Sequence, residues 1–228
     1  MCFSVLASGV FAQDTLWHRG GVFGLNFNQA SFTNWAAGGE NSIAGNVLFN
    51  GYAKYRKAKW DWDNTLEAAF GGTKQGKQDI RKTDNKFIYN SKVGYQLKKN
   101  LYFTYLFNFR TQFTEGFNYI NDTTQVRISN FLTPGTMLNS LGLDYKPNND
   151  LTLFLSPLTI RTTFVEDQLL IDQSEAANQT LFGVDPGKTM RNEIGAYFVG
   201  VYKKEVAKNI ILNRSEEHTS ELQSRFGI

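Results

Sequence analysis

The chain is poor in cysteine and proline and has no long apolar run outside its N terminus. Of its 228 residues, one is cysteine and four are proline. The single cysteine, Cys2, leaves no partner for a disulfide within the chain. A helix that crosses a bilayer needs about 20 apolar residues, which no segment supplies. Any membrane association of this sequence therefore has to use strands.

Residues for catalysis or cofactor binding are also scarce. Apart from His218 near the C terminus, the only histidine is His18, so no pairing of a nucleophile with a base is indicated. Asp61 and Asp63 form an acidic pair without His or Cys support, and no phosphate-binding glycine loop is present. The sequence predicts no catalytic residues, no metal and no cofactor. Basic residues cluster at turns rather than along a stripe, which argues against a nucleic-acid partner.

Alternation of apolar and polar residues is the main signal that the sequence does contain. From Leu101 to Phe109 the odd-numbered positions are all apolar or aromatic, whereas Thr104, Asn108 and Arg110 stand between or after them. A period of two is typical of a strand with one apolar and one polar face. It recurs along the chain and predicts strands near 21–32, 42–56, 60–71, 86–97, 101–113, 137–146, 151–164 and 191–203, with another beginning at Asn209. Pro157 requires an edge position or a bulge in its strand.

The links between these strands alternate between short and long. Three are tight turns, at 57–59, 98–100 and 147–150, and the others are mostly much longer and rich in Gly, Asn, Asp and Thr. Outer-membrane barrels have short periplasmic turns and long external loops. The pattern therefore predicts an all-β fold, an antiparallel up-and-down transmembrane β-barrel that is truncated and retains about 8 to 9 strands.

Several aromatic residues on the apolar face of their strands lie close to the short turns. They are Tyr55, Trp60, Trp62, Tyr95 and Tyr145. A membrane interface favours such rings, which predicts a girdle at this end of the strands. The alternative is that they are core aromatics of a soluble β-protein.

Polar residues on the opposite face of the strands are the candidate lining of the barrel interior. The principal candidates are Asp61, Asp63, Glu67, Asn90, Lys92, Arg110, Gln112 and Asp144. Asn46, Asn50 and Lys54 lie on the polar side of an earlier strand and are expected to face the same interior. Because both charge signs are present, these groups either pair and fill a narrow lumen or spread around a polar pore, and we expect the filled state.

The two ends of the chain read differently from the middle. Residues 1–12 resemble part of a secretory signal, with cleavage expected after Ala12; the alternative is a short buried strand. Residues 214–224, RSEEHTSELQS, resemble the translation of a widely used sequencing adaptor, codon by codon. We therefore predict a partial signal peptide over 1–12, a barrel domain that is incomplete at its C terminus over 13–213, and an unpacked, non-native tail over 214–228.

Several short segments resemble a protein family. They are NWAAGGENS at 34–42, RKTD at 81–84, SNFLTPG at 129–135, LGLDY at 141–145 and SPLT at 156–159. Together they are similar to the domain-of-unknown-function family 3078, over about residues 17–213. This resemblance implies an outer-membrane barrel group of Bacteroidota, with an envelope location and no established activity.

These observations lead to one principal functional hypothesis. We expect a protein of the cell outer membrane with a transport, binding or structural role, whose partners are outer-membrane lipid and the barrel-assembly machinery. Its ligand is not indicated, although Trp35 in the NWAAGGENS segment is a candidate loop anchor or recognition residue. Two alternatives stay open: an envelope lipid or glycan hydrolase, and a secreted soluble β-barrel or sandwich that acts as a binding protein.

Overall fold

A computed structural model of the chain describes residues 2–9, 16–32, 40–120, 124–148, 150–207 and 210–221, with only the backbone for 2–9 and 204–221. It contains twelve strands and one helix. The strands are β1 (Cys2–Gly9), β2 (Trp17–Ala30), β3 (Ser42–Lys57), β4 (Trp60–Gln75), β5 (Arg81–Lys98), β6 (Leu101–Thr111), β7 (Gly116–Tyr119), β8 (Gln125–Ser129), β9 (Gly135–Tyr145), β10 (Leu151–Phe164), β11 (Met190–Ala207) and β12 (Ile210–Glu221). The helix, α1, is Gln168–Ala177.

Ten of the strands form one antiparallel sheet in which neighbours along the chain are neighbours in space. Its order is β1-β2-β3-β4-β5-β6-β9-β10-β11-β12, while β7 and β8 form a separate hairpin. The all-β antiparallel meander predicted from the sequence is therefore confirmed. Within the described residues the two outer strands, β1 and β12, do not pair with each other, so the sheet is not closed into a barrel. No helix in the described part of the chain is long and apolar enough to cross a membrane.

All the strands predicted from alternation are present. Most begin or end within a few residues of the predicted limits; the largest difference is at β5, which starts at Arg81 rather than at 86. Tight turns connect them where predicted. Ala58 and Asn100 take left-handed backbone conformations, with φ of 51° and 67°, in two of these turns.

The two longest links contain structure that alternation did not reveal. Residues 112–136 include the β7–β8 hairpin, and residues 165–190 include α1. The side chain of Asp167 accepts a hydrogen bond from Leu170 N and so caps the first turn of the helix. These elements are short, and a helix of 10 residues in a polar loop has too few apolar positions for a clear period.

Residues near both ends of the chain lie in strands. Residues 2–9, which carry the signal-like sequence, form a strand paired with β2. The tail was predicted to be unpacked, but its residues 214–221 continue β12 and pair with β11 rather than with β2. The physical reason is that the free edge of β11 offers backbone groups that pair with any extended segment, whatever its side chains. Residues 222–228 lie outside the described part.

One face of the large sheet carries buried side chains, and the other face carries exposed ones. Phe154 on β10 is 2% exposed, whereas the next residue, Leu155 on the opposite face, is 55% exposed. Lys92 Nζ on β5 lies 5.1 Å from the centre of the Phe154 ring, although β6 and β9 separate β5 from β10 in the sheet. The sheet must therefore curl over it. We call the face that carries Phe154 the concave face and the face that carries Leu155 the convex face.

Pro157 interrupts pairing within β10, as predicted. The register of β10 shifts at this position against both of its neighbours, between Leu155 and Leu158 on one side and between Ser156 and Thr159 on the other. The bulge brings the β10 backbone close to Gly142 on β9. A Cβ atom at Gly142 would lie 2.1 Å from the Leu155 carbonyl oxygen, so only glycine fits there.

Candidate functional site

Charged side chains meet on the concave face near the short turns. Lys92 Nζ lies 2.7 Å from Asp144 Oδ2, and Lys146 Nζ lies 3.4 Å from the same oxygen. Lys146 Nζ also lies 3.5 Å from Asp61 Oδ2, although β5 and β6 separate their strands. We call Asp61, Lys92, Asp144 and Lys146 the charge cluster.

Arg56 extends the cluster toward the edge of the sheet. Its guanidinium lies 3.4 Å from Asp61 Oδ1 and 2.6 Å from Asp63 Oδ1. The β3–β4 register places Arg56 directly opposite Asp61. The two acidic residues that the sequence singled out are therefore ion-paired, and each partner belongs to the same curled sheet.

Aromatic rings cover the charge cluster. Lys92 Nζ lies 5.1 Å from the centre of the Phe154 ring, and Lys146 Nζ lies 4.6 Å from that of Tyr102. Phe154 in turn contacts Tyr197 edge-on, with 6.2 Å between ring centres. Asp144 is 1% exposed, and the strand register places it between Tyr102 and Phe154. Charges removed from water in this way need their partners, so loss of one partner from the cluster destabilises the folded sheet.

Hydroxyl groups fill the concave face beside the cluster. Thr159 donates to Ser140 Oγ at 2.8 Å and lies 2.9 Å from Ser156 Oγ, which also hydrogen-bonds the Leu141 and Leu158 carbonyl oxygens. Ser140, Ser156 and Thr159 are all fully buried. The bulge at Pro157 thus directs small polar groups into the interior, where they satisfy one another and leave little room for solvent.

The other predicted lining residues lie apart from the cluster. Asn90 lies on the concave face between Thr65 and Asn108, with hydrogen bonds of 3.1 and 2.5 Å. Glu67 forms an exposed ion pair with Lys86 at 3.3 Å. Arg110 is exposed. The eight predicted residues therefore do not form one site.

Gln112 belongs to a second group, at the opposite end of the sheet. Its amide donates to the Asn130 and Thr133 carbonyl oxygens, both at 2.8 Å. The Thr133 hydroxyl accepts from the backbone of Glu166 and of Asp167 at 2.9 Å each. Gln112 thus binds the first long link, and Thr133 connects that link to the second. We call the described residues of 112–134 and 165–189 the loop layer.

Charge also holds the loop layer together. Arg127 pairs with Asp167 at 3.1 Å and with Glu115 at 2.5 Å, and Asn130 donates to Asp167 at 2.7 Å. Beneath them Val165, Ile171 and Val184 form a small buried apolar core. The described residues of the two links are thus joined by an ion pair and by hydrogen bonds.

Asp167 is the titratable group that this arrangement perturbs. Burial by itself raises its pKa, but hydrogen bonds from Asn130 and Leu170 N and the nearby Arg127 charge outweigh that effect. The pKa of Asp167 therefore lies below its ordinary value, and the group is ionised at neutral pH.

The aromatic residues near the short turns lie in two groups on the convex face. Trp17, which the sequence analysis missed, lies 5.1 Å from Tyr55 and 5.6 Å from Trp62, measured between ring centres. Trp60 contacts Tyr95 edge-on at 5.0 Å. Tyr145 is exposed on β9. Trp17 could have been found, because its parity continues that of Phe23 and Leu25 once the strand is extended backwards.

Two other sequence-based predictions concern Trp35 and metal binding. Trp35 lies outside the described residues. In the part of the chain that is described, no three His, Cys, Asp or Glu side chains come together as ligands for a metal ion.

Comparison with known proteins gives one match. Residues 27–117 match the model of a family described as "Protein of unknown function (DUF3078)". The resemblance to family 3078 that the sequence motifs indicated is confirmed over this segment, which includes NWAAGGENS and RKTD but not the three later motifs. Asp61 and Lys92 of the charge cluster lie in the DUF3078 segment, and Asp144 and Lys146 lie beyond it. No curated protein and no solved structure matches the chain.

Proposed function

We propose that this chain is an outer-membrane β-barrel protein whose convex face contacts lipid and whose interior is filled at the short-turn end. The observation that supports it is a row of large apolar side chains across the convex face. Phe103 is 46%, Leu143 44% and Leu155 55% exposed, and they are direct neighbours on β6, β9 and β10. Water-soluble monomers rarely expose contiguous apolar surface on this scale, whereas a bilayer favours it.

Closure of the sheet is part of the proposal. In a bilayer the backbone groups at a sheet edge have no water to bind, so the edges must pair. Strand β1 occupies the outer edge of β2. If residues 1–12 are removed as a signal peptide, that edge becomes free for the strand that closes the barrel. N-terminal sequencing of the mature protein tests this step, and we expect it to begin at Gln13.

The interior favours a binding or structural role over an open pore. The charge cluster, its aromatic cover and the Ser140–Ser156–Thr159 hydroxyls occupy the concave face at the short-turn end. Paired charges that fill a lumen block ion flow, whereas unpaired charges around a wide lumen favour it. We therefore propose that the protein conducts few ions and that any ligand binds at the loop layer.

Cell fractionation of the expressed full-length protein tests the membrane proposal. We expect it in the outer-membrane fraction, soluble only with detergent, with the loop layer cut by protease added to intact cells. Depletion of the barrel-assembly machinery should reduce its amount in that fraction. Recovery in the periplasm without detergent would show that the protein is a soluble β-protein and would refute the proposal.

Planar-bilayer recording tests the filled interior. We expect the inserted protein to show little conductance, and Phe154→Ala to increase it by opening the cover of the charge cluster. Phe103→Ala, on the convex face, is the matched control and should leave conductance unchanged. A large, steady conductance from the unmodified protein would show an open pore.

A further inference from the structure

Exposed basic side chains surround the short turns of the first strands. Arg19 lies at the start of β2, Lys57 and Lys59 flank the β3–β4 turn, and Lys98 and Lys99 lie at the β5–β6 turn. All five are exposed. We call them the basic rim.

Two members of the basic rim rest on aromatic rings of the convex face. Arg19 Cζ lies 5.1 Å from the centre of the Trp17 ring, and Lys59 Nζ lies 5.9 Å from that of Tyr95. Lys57 stands directly opposite Trp60 across the β3–β4 pair. A cation that contacts the face of such a ring lies at the same position along the strands as the ring. In a membrane it would therefore lie at the same depth.

The acidic residues of the same strand ends do not neutralise the rim. Asp61 and Asp63 point to the concave face, where Arg56 and Lys146 pair with them. Among the described residues, none of Lys57, Lys59, Lys98 and Lys99 forms an ion pair. At the short-turn end, Asp61 and Asp63 are thus ion-paired on the concave face, whereas the four lysines of the rim form no ion pair among the described residues.

We propose that the basic rim binds the phosphate groups of anionic phospholipids in the leaflet that surrounds the short-turn end. This inference rests on the proposed membrane function. A cation near an anionic bilayer surface strengthens association by about fivefold, and the effect weakens with salt. The aromatic residues provide the second requirement, because their rings favour the headgroup region of a bilayer. Three or more rim cations acting together should prefer anionic over zwitterionic lipid by at least tenfold.

The test uses the full-length protein refolded into vesicles of phosphatidylcholine alone and of phosphatidylcholine with one-third phosphatidylglycerol. Insertion is read from protease protection, and lipid preference from the immobilised fraction of spin-labelled phosphatidylglycerol relative to spin-labelled phosphatidylcholine. The test variant is Lys57→Gln/Lys59→Gln/Lys98→Gln. The control is Lys74→Gln/Lys77→Gln/Lys188→Gln, which removes the same charge from exposed positions at the other end of the strands.

We expect the unmodified protein and the control to prefer phosphatidylglycerol, and the rim variant to lose at least tenfold of that preference while it still inserts. High salt should abolish the preference of the unmodified protein and of the control. Insertion without any preference, or equal loss in the rim variant and the control, would overturn the rim proposal alone. Failure of the unmodified protein to insert into either vesicle would overturn the membrane function and, with it, the rim.

Discussion

The ammonium of Lys92 on β5 lies 2.7 Å from the carboxylate of Asp144 on β9, which is 1% exposed, although β6 runs between the two strands. The pair therefore reaches across the concave face, from one strand to the next but one. Because Asp144 is buried and the Lys92 side chain is only 25% exposed, removal of Asp144 leaves a largely buried ammonium without its ion-pair partner.

Asp144→Asn should lower the free energy of unfolding by about 3 kcal/mol, because Lys92 loses its partner in a buried setting. Urea titration of the protein in detergent micelles measures the change. Asp63→Asn is the matched control. Its partner Arg56 is exposed and still forms an ion pair with Asp61 in this variant. We therefore expect the free energy of unfolding to fall by about 1 kcal/mol or less. Equal losses would contradict the buried setting of the Lys92–Asp144 pair.

Gly142→Ala should prevent normal packing of the β10 bulge. The new Cβ would lie 2.1 Å from the Leu155 carbonyl oxygen and 2.6 Å from Ser156 Cα, both backbone atoms. Overpacking costs about 1–3 kcal/mol even where side chains can move, and backbone moves less easily. Gly45→Ala is the control, since its nearest atom would be 3.7 Å away. Thermal unfolding of both variants gives the comparison, and an unchanged midpoint for Gly142→Ala would contradict the bulge geometry.

Phe107→Arg should obstruct assembly into a bilayer. Phe107 lies near the middle of β6 with the parity of Phe103, so arginine there would face the lipid near mid-bilayer at a cost of about 2–4 kcal/mol. The yield of protease-protected protein in vesicles measures assembly. Ile128→Arg, at an exposed position of the β7–β8 hairpin, places the same charge outside the bilayer and should assemble normally. Normal assembly of Phe107→Arg would place this face away from lipid.

The loop layer should loosen in acid through Asp167. Since the folded-state pKa of Asp167 is lowered, its ionised form stabilises the layer above the unfolded pKa of about 3.9. That stabilisation is lost as the pH falls from there through the lower folded pKa. Hydrogen exchange at the Leu170 amide should therefore accelerate below about pH 4. In Asp167→Asn it should already be fast at neutral pH and lack this pH dependence. Acid loosening that persists in Asp167→Asn would assign the effect to another group.

Sequence periodicity predicted much of the fold because strands are a local property. The parity of Leu101, Phe103 and Tyr105 is visible without any knowledge of their neighbours in space, and so are the tight turns at Lys57 and Lys98. The β7–β8 hairpin and α1 were missed because they are short and because Asn130, Thr133 and Asp167 order them through contacts between distant segments.

The charge cluster could be predicted only in part. Parity placed Asp61, Lys92 and Asp144 on one face, and Lys146 could have been added because it lies two residues after Asp144. Parity does not say which of the residues on that face meet. Asp144 meets Lys92, whereas Glu67 and Arg110 on the same parity remain exposed.

The sequence by itself determined most strands of the large sheet, their two faces and the order in which they pair, because alternation and tight turns act between adjacent residues. Tertiary structure decided which charges are buried, how the bulge at Pro157 fits against Gly142, and how the two long links combine into one layer. It also decided that residues 214–221 extend the sheet at the edge of β11. These outcomes depend on the curvature of the sheet and on free backbone edges, and neither of these is a property of any local stretch of sequence.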